Sequence, residues 1–255
     1  FDNHVWSGPG AIRFVEPGVV PQATGAGSGS RECSTAKAPF RSPLELAGRL
    51  QFNGALTPRP TVQMPDSPLH FATLPAWLET VMSDFNSFLQ DHAAAEKKAS
   101  GMAISMLSHY PDRIELVSAM ADLAVEELTH YREVVKWIHR RGLQTCADTK
   151  DHYVIEFRDA IRKGRDVYLL DRLLTAGIIE ARGAERFALV AQGLEEPAIK
   201  RFYQSIARSE ERHYTLFLEL AGKYFEQDTI AQRWDELLAI EAGIVERLPL
   251  RAALH

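Results

Sequence analysis

The chain has 255 residues, 45% hydrophobic and 25% charged, enough to bury one large core. A net charge of −5 excludes a uniformly basic protein that coats polyanions. Two distant cysteines, Cys33 and Cys146, exclude a disulfide framework and a thiolate zinc site. No apolar run reaches the roughly 18 to 20 residues of a membrane span, and Phe1-Asp2-Asn3-His4 does not open a secretory signal, so a cytoplasmic protein that avoids the membrane is expected.

Nine of 13 prolines and eight of 16 glycines precede residue 69. Residues 1–70 therefore read as an irregular extension, with a linker at Gly25 to Ser30 and a short helix near Ser42 to Leu50. Residues 71–255 read as a helical domain. Helix A is expected over Pro75–His109, its apolar stripe stepping by three and four. Asp112 and Glu115 suggest a capping box for helix B, which Gly142 ends. A shorter helix follows near Asp151–Lys163. Helix C covers Asp166–Gln192, Pro197 opens helix D through Phe225, and Thr229 with Gln232 caps helix E over Ile230–Arg247. The fold class is all-α: a four-helix bundle with an additional C-terminal helix.

Each main helix carries one glutamate in its apolar stripe: Glu96, Glu127, Glu180 and Glu210. A buried, unpaired carboxylate costs several kcal/mol and normally takes a proton or a cation. Glu127 and Glu210 each begin an E-x-x-H, with His130 and His213, and residues i and i+3 share one helix face. One such motif is weak, since composition alone yields about 0.7 by chance. The repeat is stronger. Glu96 precedes Glu127 by 31 residues and Glu180 precedes Glu210 by 30, so E…E-x-x-H occurs twice, once per helical hairpin. Four carboxylates and two imidazoles are the ligand set of ferritin-like dimetal sites, and hard oxygen ligands suit iron or manganese. The competing view, exposed glutamates on amphipathic helices, must explain both spacings and both histidines.

Glu185 lies about 140° around the helix from Glu180 and breaks the symmetry, so Glu180 is preferred. Glu126 either orients a histidine or is solvated, and His92 is a packed or supporting histidine before it is a ligand. Small residues crowd the same level: Ala95, Ala99 and Ala103 on helix A, and Ala176, Gly177 and Gly183 on helix C. They fit close packing and a substrate cavity equally well. Residues 136–165 carry net +4, including Arg158, Arg162 and Lys163, and suit either phosphate contact or a solvated connection.

Four segments, L-Q-D-H-A-A-A-E-K-K-A-S at Leu89, E-E-L-T-H-Y at Glu126, A-G-I-I-E-A-R-G-A-E-R-F at Ala176 and S-E-E-R-H-Y at Ser209, resemble the tRNA 2-methylthio-N(6)-isopentenyladenosine hydroxylases. The resemblance covers about Pro68 to Leu248. It implies a ferritin-like fold, two iron ions and O₂-dependent hydroxylation of the isopentenyl chain on a prenylated adenosine in the tRNA anticodon loop. Carried over residue by residue, it gives the same ligands: Glu96, Glu127, His130, Glu180, Glu210 and His213. Ala184 stands where the family often has cysteine, and the long N-terminal extension is a second departure. An external electron donor is expected, because the chain has no flavin or iron–sulfur motif. The alternatives are a ferritin- or rubrerythrin-like protein handling iron or peroxide, and a quinone-type small-molecule hydroxylase. A monomer or small oligomer is expected.

Overall fold

The computed structural model describes residues 67–255 of the chain; the expected linker and the 42–50 helix lie outside them. Seven helices follow in order: α1 (Pro75–Ser83), α2 (Phe85–His109), α3 (Ile114–Arg140), α4 (His152–Asp159), α5 (Arg165–Gly193), α6 (Pro197–Tyr224) and α7 (Gln227–Arg247). The described residues contain no strand. α2 packs along α3 and α5 along α6, so the bundle is two helical hairpins, with α7 against α5 and α4. This is the ferritin-like four-helix arrangement with an added C-terminal helix.

Where local signals are strong, helix ends match them. Gly142 has φ +73°, its N–H donates to the His139 carbonyl at 2.9 Å, and the Leu143 N–H donates to Ile138 at 3.2 Å, together a Schellman closure of α3. Pro197 occupies the first turn of α6.

Three expectations need correction. Helix A is two helices, because the Asp84 side chain accepts from the Ser87 N–H at 3.1 Å and the Ser87 hydroxyl at 2.7 Å, capping a fresh start. The Asp112 capping box is absent; the Leu116 N–H instead donates to the Tyr224 hydroxyl of α6 at 3.3 Å, a tertiary cap from 108 residues away. Thr229 does not cap the last helix, which already begins at Gln227.

Two apolar clusters fill the bundle. One gathers Met106, Leu116, Met120, Leu173, Phe217 and Leu220; the other gathers Phe88, Leu89, Val134, Ile138, Phe187 and Tyr203. In each of α2, α3, α5 and α6 the stripe glutamate falls between the residues given to one cluster and those given to the other. The carboxylates thus form a polar waist between two dry cores, where a charge is costly unless compensated.

Candidate metal centre

Glu96, Glu127, Glu180 and Glu210 are 4%, 1%, 8% and 2% exposed, which rules out solvated surface glutamates. They gather with the two histidines into two groups. Glu96, Glu127, His130 and Glu210 form one; Glu127, Glu180, Glu210 and His213 form the other. Within each group, one potential ligand atom per residue lies within 4.8 Å of all the others. Glu127 and Glu210 belong to both, as the carboxylates of the two E-x-x-H motifs. His213 Nδ1 sits 2.9 Å from Glu127 Oε1 and 3.0 Å from Glu210 Oε2. His130 Nδ1 faces Glu127, Glu96 and Glu210 at 3.5, 3.6 and 3.8 Å.

The electrostatics are those of a site built for cations. Burial, then the Glu127 charge, pushes the Glu96 carboxyl well above its ordinary range, and burial with Glu210 does the same to Glu180. Burial would also raise Glu127, but His130 and His213 beside it hold it down. Burial opposes charge on the two imidazoles, yet the surrounding carboxylates hold His130 up to about 10 and His213 up to about 12. Without cations, protons must neutralise this cluster. Glu210 Oε1 and His130 Nδ1 are buried and make no hydrogen bond among the described residues, an expensive arrangement that a metal ion would resolve. Hard carboxylate oxygens with two imidazoles fit a pair of divalent ions such as iron or manganese.

Supporting residues divide as follows. Glu185 is outside the cluster: it accepts from the Thr73 N–H at 2.9 Å and pairs with buried Arg182. His92 is fully buried, with Nδ1 3.0 Å from the Tyr203 hydroxyl and Nε2 2.5 Å from Glu96 Oε1, so it orients a carboxylate and joins neither group. Burial, then the His130 charge, lowers its pKa to about 3. Glu126 lies behind both histidines, 3.3 Å from His213 Nε2 and 3.9 Å from His130 Nε2, and is itself held by the Ser209 hydroxyl and Arg212. One carboxylate therefore faces the Nε2 edge of both rings, while both Nδ1 atoms face the cluster. Glu126→Ala should weaken metal binding about 10- to 100-fold while leaving helicity intact, measured by competition with a chelator; an unchanged affinity would make Glu126 a surface residue.

A cavity of about 580 Å³ opens from the cluster between α2, α4 and α5, and all four glutamates line it. The small residues divide between packing and cavity. Ala95, Ala99, Ala176 and Gly183 wall the cavity, whereas a Cβ on Gly177 would meet Phe217 Cβ at 3.3 Å, so that glycine serves packing. Lys98, Lys150, Arg158 and Arg172 also line it, and among the described residues none of the four forms an ion pair, although the Lys98 charge helps hold down Asp151. Arg162, in the basic stretch that suited either phosphate contact or a solvated connection, pairs with the buried carboxylate of Asp171 at 2.7 Å. The short segment after α7 joins the site with no signal in the sequence. The Leu254 N–H donates to Asp91 at 2.7 Å, and His255 Nδ1 lies 3.0 Å from Asp151, setting both residues in the cavity wall. No helical period announces such an arrangement.

A family model described as tRNA-(MS[2]IO[6]A)-hydroxylase (MiaE) matches residues 61–255. The tRNA 2-(methylsulfanyl)-N(6)-isopentenyladenosine(37) hydroxylase of Pseudomonas putida is 34% identical over 181 residues, covering 71% of this chain and 88% of that protein. The protein of the same name from Salmonella typhimurium is 33% identical over 142 residues, 56% of this chain; the match spans 52% of its length, about half. Among solved structures, a Synechococcus protein with aldehyde deformylating oxygenase activity superposes with a TM-score of 0.70 at 32% identity, covering 73% of this chain and 94% of that one.

Proposed function

The chain belongs to the MiaE family of tRNA hydroxylases, and from that membership and the paired cluster we propose that it is an O₂-dependent di-iron monooxygenase acting on the isopentenyl group of 2-methylthio-N(6)-isopentenyladenosine in tRNA. Glu96, Glu127, His130, Glu180, Glu210 and His213 hold two iron ions. When bound, these supply activation of dioxygen and transfer of one oxygen atom to a C–H bond. The balance is one C–H bond, O₂, two electrons and two protons converted to an alcohol and water. An external donor supplies the electrons. The protein's own part is placement and water exclusion: Ala95, Ala99, Met102, Ala176 and Ile179 give the cavity apolar walls beside the carboxylates.

One observation carries the RNA reading: the cavity that reaches the cluster has Lys98, Lys150, Arg158 and Arg172 on its wall, in a chain of net −5. Local positive charge at the entrance suits a phosphate backbone, and a loop nucleotide leaves its stack more cheaply than a paired one. The Synechococcus neighbour's named activity favours a second reading, an aldehyde as substrate. An aldehyde has no use for four basic side chains.

The deciding assay supplies ¹⁸O₂, a reductant and prenylated tRNA to the iron-loaded protein and measures labelled hydroxylated nucleoside. Iron mineralisation or aldehyde turnover with no labelled nucleoside would overturn the proposal. Lys150→Glu with Arg158→Glu should weaken tRNA binding and lower the slope of log K against log salt by about 1 for each phosphate that the variant no longer neutralises. An unchanged slope would place the RNA on another face.

A further inference from the structure

The cavity has a polarity along its length. On α5 its lining runs from Tyr168, 38% exposed, through Arg172, Thr175 and Ile179 to buried Glu180. On α2 it runs from exposed His109 through Ser105, Met102 and Ala99 to buried Glu96. Arg172 Nη2 reaches Ser105 Oγ at 3.4 Å, so the two walls are level there. One turn further in stands Thr175, 2% exposed, with an Oγ1 that has no hydrogen-bond partner among the described residues. A threonine inside a helix ordinarily satisfies its hydroxyl on the carbonyl four residues back. Thr175 does not, and its neighbours on the wall at this depth, Met102, Ala176 and Ile179, offer no polar side chain.

Five residues separate Thr175 from Glu180, about 7.5 Å of helix rise. The isopentenyl chain spans four bonds from the adenine N6 to its terminal methyl groups, roughly 5 Å at ordinary bond lengths. A base whose N6 lies level with Thr175 therefore brings those methyl groups to within about 2.5 Å, along the helix axis, of the level of Glu180. An N6-alkylated adenine keeps one N6–H donor, and the Thr175 hydroxyl can accept it.

We propose that Thr175 is a positioning and specificity-determining residue: its Oγ1 accepts the N6–H of the alkylated adenine and sets how far the prenyl chain reaches toward Glu96 and Glu180. The proposal rests on the tRNA-hydroxylase reading above.

The test uses the iron-loaded full chain without O₂ and a prenylated anticodon stem–loop RNA, with binding measured by calorimetry. Thr175→Val should bind about 2- to 10-fold more weakly, the equivalent of one hydrogen bond, while Thr175→Ser stays within about 2-fold of wild type. A stem–loop whose adenine carries an extra N6-methyl group lacks the donor and should bind wild type and Thr175→Val equally. With O₂ and reductant, Thr175→Val should raise KM more than it lowers kcat, and iron content should not change. Equal binding of the prenylated RNA to wild type and Thr175→Val overturns the proposal, as does the same loss on both RNAs, which would mean that Thr175 only shapes the cavity. If wild type hydroxylates no prenylated tRNA, the functional reading fails and takes this proposal with it; if wild type does and Thr175→Val is indistinguishable from it, only this proposal fails.

Discussion

Glu210→Ala and Glu127→Ala should each take the metal content from the two ions proposed per chain to none, and hydroxylation should fall by far more than the hundredfold limit for losing a merely orienting neighbour. The reason is topological. Both carboxylates belong to both ligand groups, so removing either leaves each position short of an anion inside a dry bundle. His130→Ala and Glu180→Ala each touch one group and should leave about one ion behind. Metal analysis of purified variants, with circular dichroism to confirm the helices, reads the pattern. A single lost ion in Glu210→Ala would show that the two positions do not share it. Loading also has a sign in pH. The surrounding carboxylates raise His130 to about 10 and His213 to about 12 without metal, which favours their protonated forms, and those protons must leave before a cation is bound. Apparent metal affinity should therefore rise with pH between about 6 and 9.

Arg182→Ala should cost about 3 to 5 kcal/mol, a fall of roughly 6 to 20 °C in melting temperature for a domain of this size. Arg182 is fully buried, and its donors are used: Nε and Nη2 grip Glu241 at 2.8 and 2.9 Å, Nη1 serves Thr73 and Glu185, and Nη2 also reaches the Phe71 carbonyl at 2.7 Å. Glu241 is equally buried and also accepts from the Tyr153 hydroxyl at 3.1 Å. Removing only the arginine strands that carboxylate. The double change Arg182→Met with Glu241→Leu removes both charges and should recover most of the loss, since an apolar pair of similar volume replaces a desolvated ion pair at little cost. Thermal unfolding followed at the helical band checks both. A single-variant loss below about 1 kcal/mol would mean that water relieves Glu241. Because Arg182 lies two residues from Glu180 and joins α5 to α7, this network also fixes the helix that presents one ligand.

The functional core is legible in the chain for local reasons. A carboxylate in an apolar stripe, an imidazole three residues on and a repeat at 31 and 30 residues are all properties of helical period, so Glu96, Glu127, His130, Glu180, Glu210 and His213 can be named as candidates from the chain alone; the structure gathers their side chains and buries the four carboxylates. The close of α3 at Gly142 is legible in the same way, because a left-handed residue and its two hydrogen bonds involve only neighbours. Tertiary structure decided whatever depended on distant partners. Tyr224 caps Leu116 from 108 residues away, Asp171 pairs with the exposed Arg162, and Glu126 backs His213 from 87 residues away. Thr175 is an ordinary helical threonine in the sequence. Only the packing around it leaves its hydroxyl unpartnered in the wall of a cavity, because periodicity records which face of a helix is buried and carries no record of what stands opposite.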